Sequence, residues 1–194
     1  MRRTATTTLA AAGLLLALTG CQDEITTKPS KTAPAATAPA AEDPTTAPDP
    51  EPTKDAPAAV GDTITLTGSD DDLKVDATLK KWITNAKSSD EYFGPEDGKI
   101  WVAAQFELTN TGTVPYADSP SNGAQVADAD GQRFQATFGD VTAGPSMTSD
   151  AKVPPGEKVL GWIVFEVPKA SKVQTVQFAL DSGFADKTGQ WNVS

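Results

Sequence analysis

The chain has 194 residues, no histidine and a single cysteine, Cys21. The absence of histidine removes the commonest general base and the commonest transition-metal ligand. One thiol cannot close a disulfide within the chain or build a cysteine-based zinc site. Any folded part must therefore be held by a hydrophobic core rather than a staple. Basic residues are also few: 16 Lys and Arg face 26 Asp and Glu, a formal charge of -10. That balance works against nucleic acid, which needs a basic footprint, and against attachment to anionic lipid through the protein surface. No apolar run reaches the roughly 20 residues that a bilayer-spanning helix needs. The longest, Leu9 to Leu18, is about half that length.

That short run is nevertheless informative. Arg2 and Arg3 precede it, and Leu18-Thr19-Gly20-Cys21 follows at its end. A charged start, a short apolar centre and a small residue before the processing point describe a secretion signal. The arrangement resembles the lipobox of bacterial lipoproteins. The resemblance implies cleavage before Cys21, a diacylglycerol thioether on its sulfur and palmitate-class acyl chains in the membrane. The chain is then expected at the extracytoplasmic face of the cell membrane, with residues 1–20 removed. Two acyl chains anchor stably where one does not, at about 0.8 kcal/mol per buried methylene. Loss of Arg2 and Arg3 leaves 14 basic residues against 26 acidic ones, a mature charge of -12.

Residues 21–59 are expected to form a disordered linker behind the lipidated cysteine. Proline, alanine, threonine and acids fill the segment, Ile25 is its only large aliphatic residue, and it has no aromatic. Such a composition cannot bury enough apolar surface to offset the entropy of ordering. Extended at about 3.1 Å per residue, it would reach roughly 120 Å.

Residues 60–194 read as one domain, with 11 basic and 19 acidic residues and a charge of -8. Alternation dominates. Leu73, Val75, Ala77 and Leu79 interleave with polar residues, and Ile100, Val102, Ala104, Phe106 and Leu108 repeat the period of two, so that Ile100, Val102, Phe106, Ile163 and Phe165 are expected in the core. Further strand signals run over 62–67, 133–135, 158–167, 173–180 and 191–193, separated by Asn-Thr-Gly, Asp-Gly and Pro-Gly turns. No helical period is sustained, and 88–96 holds at most one short turn. Short strands with punctuated turns over such a length predict an all-β, immunoglobulin-like antiparallel sandwich.

Five segments in order carry a more specific likeness: Val60-Gly61-Asp62, Leu108 to Gly112, Ala127 to Gly131, Pro155-Gly156-Glu157 and Gly161 to Pro168. Together they resemble the bacterial domain-of-unknown-function 4352 family over roughly residues 60–182. The resemblance implies an immunoglobulin-like sandwich, often carried on lipoproteins and related to a secreted mycobacterial antigen. It implies no catalytic residues and no cofactor.

Several local features invite a site. Asp128-Ala129-Asp130-Gly131 has part of a calcium-loop pattern, but an EF-hand register puts Val126 and Thr137 where its two anchoring carboxylates belong. A hairpin turn explains it better. Ser69-Asp70-Asp71-Asp72, with Glu96 or Asp97, could gather hard oxygen ligands, though a solvated acidic loop is the commoner case. Lys87, Ser88 and Ser89 fit no nucleophile elbow, and acids are too plentiful to single out a pair. No enzyme activity is expected.

The strand over 158–167 is apolar on both faces: Val159, Ile163, Phe165 and Val167 on one, Leu160, Trp162 and Val164 on the other. A sandwich buries one face, so the second must be covered by a loop, with 141–154 long enough, or be open to a partner. Trp101, Leu160, Trp162 and Val164 form the candidate partner surface. The function expected is a non-enzymatic recognition or accessory module for an envelope protein or cell-wall component. The alternative is a calcium-dependent or small-ligand-binding lipoprotein.

Overall fold

The computed structural model describes residues 58–194. The signal peptide, Cys21 and most of the expected linker lie outside the described residues. Eleven strands follow in order: β1 (Ala58–Ala59), β2 (Thr63–Thr67), β3 (Lys74–Ala86), β4 (Lys99–Asn110), β5 (Tyr116–Asp118), β6 (Ala124–Asp128), β7 (Arg133–Thr137), β8 (Ala151–Val153), β9 (Lys158–Pro168), β10 (Val173–Ala179) and β11 (Thr188–Asn192). Short 3₁₀ turns at Pro120–Gly123 and Asp181–Gly183 are the only helical geometry among the described residues. The sandwich starts at Ala58, inside the span expected for the linker, because β1 adds to β11 with Ala58 opposite Trp191 and Ala59 opposite Asn192.

Hydrogen bonding runs β1-β11-β10-β6-β7-β9-β4-β3-β2, with β5 and β8 paired separately. The corner of the sandwich is β7. Its first half pairs with β6, Phe134 opposite Val126, and its last two residues pair with β9, Ala136 opposite Phe165. The two layers that flank β7 close over one core. Phe106 of β4 touches Phe178 of β10 and Trp191 of β11, with ring centroids 5.2 and 5.4 Å apart. Val75, Ala77 and Leu79 from β3 and Val102, Ala104, Phe106 and Leu108 from β4 are buried in this core, as the alternation requires. From β9, Ile163, Phe165 and Val167 join them; Ile100 is only partly buried at the margin.

The register is interrupted twice in β3, at Lys80 and again between Ile83 and Ala86. Leu79 faces Phe106 and Lys81 faces Gln105, so Lys80 is an extra residue, a β-bulge. The phase shifts by one, and Trp82 comes back to the core.

Candidate functional site

The outer face of β4 and β9 carries a second buried cluster: Trp101, Ala103, Trp162 and Val164, with Ala86 and Val141. Trp101 stands opposite Glu166 and Trp162 opposite Gln105, with the Ala103–Val164 pair between them. The cover is the segment that follows β7. Val141 bridges Ser88, the Ser89 amide donates to Asp140 O at 2.9 Å, and the Thr142 amide donates to Lys87 O at 3.0 Å. Further on, the Trp162 amide donates to Pro145 O at 3.0 Å and the Met147 amide to Trp162 O at 2.7 Å.

The expected partner surface is therefore corrected. Trp101, Trp162 and Val164 are buried beneath this loop, and only Leu160, at 50% exposure, reaches solvent. An apolar outer face left bare would keep a large area in water, and the loop removes that cost.

What lies open is a cleft of about 570 Å³ beside the loop, floored by Trp162, Ile163 and Val164 of β9. Its lining includes Phe93 and Asp90 from the β3–β4 connection, Phe138, Asp140 and Ser149 from the β7–β8 connection, and Ser119, Ser121 and Asn122 from the β5–β6 connection. The Ser119 hydroxyl donates to Ser149 O at 2.5 Å, tying two of these connections together. Two large aromatic side chains border the cleft in water: Phe138 is 88% exposed and Phe93 52%. Next to them Tyr92 is 91% exposed.

The loop that presents Phe93 is a tight knot. The Asp90 amide donates to Ser88 Oγ at 3.0 Å, and that hydroxyl donates to Phe93 O at 2.5 Å. Asp90 Oδ1 accepts the Tyr92 and Phe93 amides at 2.7 and 3.2 Å. These bonds make a residue held between two turn-forming side chains, which fixes an exposed ring that packing alone would leave loose. Phe93 also leans on Trp101, with centroids 5.7 Å apart. On the other loop Asp140 Oδ1 accepts the Ser146 hydroxyl at 2.5 Å.

The other sequence features have structural roles. Asp128 Oδ1 accepts the Asp130 and Gln132 amides at 3.0 and 2.9 Å, which closes the β6–β7 turn. The acidic run meets the far end of β4 from Glu96: Asp72 O accepts the Thr113 amide, whereas Glu96 pairs with Lys99 at the strand's start. Those ends are roughly 35 Å apart at about 3.3 Å per residue, too far to share a cation. Among the described residues no three Asp or Glu side chains converge in a metal-binding group. Ser149 and Lys152 have a Ser-x-x-Lys spacing, but Ser149 lies ahead of β8 and the Lys152 ammonium pairs with Asp150 at 3.1 Å.

One ionic cluster borders β9. Lys99 Nζ lies 2.8 Å from Glu166 and 2.6 Å from Glu96. The hydrogen bonds to Glu166 and then Glu96 raise the Lys99 pKa. Burial pushes the Glu166 carboxyl up, but the Lys99 hydrogen bond and the Glu96 amide outweigh it, so its pKa is lowered.

The family model described as Domain of unknown function (DUF4352) matches residues 66–188. The chain belongs to the DUF4352 family. No curated protein matches it. Among solved structures, this DUF4352 domain is similar in fold to MPT63, a secreted protein of Mycobacterium tuberculosis, at 16% identity and a TM-score of 0.50, over 72% of this chain and all of that one. It is similar to yjhA of Bacillus subtilis at 12% identity and a TM-score of 0.51, over 71% and 99% of the two chains. It is also similar to ycdA of Bacillus subtilis, provisionally described as a lipoprotein, at 14% identity and a TM-score of 0.52. That match covers 71% of this chain but only 39% of ycdA. The family match contains four of the five sequence segments; Val60-Gly61-Asp62 lies ahead of it, and the match runs some six residues further along at each end than the expected 60–182.

Sequence reasoning missed Asp90, Phe93, Phe138 and Asp140. The available signal was positional: Tyr92-Phe93 are aromatics outside any alternating segment, whereas Phe138 continues the alternation of Phe134 and Ala136 past the end of β7. An aromatic that no strand pattern claims is either under a loop or on display.

Proposed function

We propose that this DUF4352 protein is a non-enzymatic recognition module, held at the extracytoplasmic face of the cell membrane by lipid on Cys21, that engages a cell-wall component through the cleft. The observation that carries the reading is the pair of exposed rings, Phe93 and Phe138, in a cleft whose lining also includes Ser119, Ser121, Asn122 and Ser149. Aromatic side chains in water are costly, and they concentrate where binding is strong. Support for the address comes from the lipobox-like Leu18 to Cys21 and from fold relatives described as secreted or, provisionally, as lipoprotein. An envelope protein remains within the same reading, since the cleft could take an exposed side chain.

Two measurements test it. Metabolic labelling with an alkyne fatty acid should mark the wild type and spare Cys21→Ser; equal labelling removes the anchor. The protein should co-sediment with purified cell walls of the producing bacterium, and Phe93→Ser with Phe138→Ser should abolish this at unchanged thermal stability. Undiminished sedimentation of the double variant would remove the cleft from the reading.

A further inference from the structure

We propose that the cleft is selective for a saccharide bearing free amino groups, a hexosamine oligomer without its acetyl caps; this deepens the recognition reading above and rests on it. The first argument is charge. Asp90 and Asp140 line the cleft, and no Lys or Arg does. Each carboxylate is fixed through Oδ1, Asp90 by two backbone amides and Asp140 by the Ser146 hydroxyl, which leaves Oδ2 to a ligand. An anionic ligand, such as a phosphate or a uronate, would meet two uncompensated negative charges. An ammonium group meets two oriented acceptors, and hydrogen bonds between ionised partners are the stronger kind. The charge of -8 on residues 60–194 adds attraction for a cation at longer range.

The second argument is shape. A pyranose ring has apolar C–H faces and a polar rim. The cleft is lined by both kinds of group: the rings of Phe93 and Phe138, and the polar side chains of Ser121 and Asn122. The aromatic faces also attract an ammonium through their quadrupoles. A lysine side chain satisfies the charge but brings no hydroxyls for Ser121 and Asn122. The cleft, at about 570 Å³, has room for more than a slender alkyl chain and falls within the range of ordinary small-ligand sites.

The test is calorimetric titration of the full chain at about pH 6, where carboxylates are charged and amines protonated. Three probes are compared: a glucosamine tetramer, an N-acetylglucosamine tetramer and tetralysine. The glucosamine tetramer should bind at least about ten-fold more tightly than either of the others, a gap of about 1.4 kcal/mol. Asp90→Asn with Asp140→Asn should weaken it at least about ten-fold. Asparagine keeps the Oδ1 acceptor, so both loops retain their hydrogen bonds, and an unchanged melting temperature verifies this. Phe138→Ala, at an exposed position, should also weaken binding. Equal affinity for the acetylated tetramer or for tetralysine overturns the proposal, as does full binding by the double asparagine variant. Failure of the glucosamine tetramer, while Phe93 and Phe138 still govern cell-wall sedimentation, overturns the ligand class and leaves the recognition reading standing.

Discussion

Gly139 lies against the six-membered ring of Trp101, so close that a β-carbon on it would come within 2.6 Å of Cη2. Gly161 is tighter still against the same loop, where a β-carbon would meet Met147 Cα at 2.4 Å and Met147 N at 2.6 Å. The first neighbour is a side chain in a packed cluster, the second is backbone. Gly139→Ala should therefore cost about 1–3 kcal/mol and Gly161→Ala more, by urea denaturation. Gly94→Ala serves as the reference, since nothing stands within 4 Å of its position. If Gly161→Ala were no worse than Gly94→Ala, the loop could not be seated as described.

Trp162 and Leu160 are two residues apart on one strand face, yet they should behave differently. The cover loop buries Trp162 and ends its protection before Leu160. Trp162→Ser is expected to cost about 3–5 kcal/mol. Leu160→Ser should stay within about 0.5 kcal/mol of wild type. Melting curves of the two variants decide this, and a stable Trp162→Ser protein would reopen the outer face as a partner surface.

Phe106 joins the two layers of the sandwich through Phe178 and Trp191. Its removal leaves a cavity bounded by both, which the rigid sheets cannot fill. Phe106→Ala should lose about 3–5 kcal/mol. A loss under about 1 kcal/mol would contradict its placement at the centre.

Acid should weaken the fold partly through Glu166. Its folded pKa lies below the reference value of 4.5, so the folded state holds the charged form more tightly than the unfolded chain does. The contribution is complete above about 4.5 and disappears as pH falls through the lower folded value. The melting-temperature gap between wild type and Glu166→Gln should therefore be widest near neutrality and close below that point. A gap that stays constant from neutral pH down to strong acid would show that the carboxyl is not shifted. The effect is small, because both partners keep part of their surface in water.

The strands that face water on one side and core on the other were legible, because a period of two is written directly into the first half of β3 and into β10. What failed to show has particular causes. The second half of β3 was hidden by the bulge at Lys80, which breaks the period without ending the strand. Strands β5 and β8 have three residues each, too few to display any period. The double-faced β9 announced a second buried layer, but whether loop or partner formed it depended on non-local contacts such as Trp162 with Pro145 and Val141 with Ser88. The cleft was illegible for the same reason: Asp90 and Asp140 come to line one cleft through pairing between distant loops, as in the Ser89 amide's bond to Asp140 O.

Strand β1, two residues long, makes the one parallel pairing between strands among the described residues, and its partner is the strand that carries Trp191. That indole also donates to Asp62 O at 3.0 Å, just past β1, and its ring packs on Phe106. Any pull on the chain ahead of Ala58 thus arrives first at β11 and through it at the aromatic centre of the sandwich. The loops around Asp90, Ser121 and Asp140 lie on other strands, away from that line of tension. Force applied ahead of Ala58 would be borne by β11 and the Trp191–Phe106 contact before it reached the loops that line the cleft.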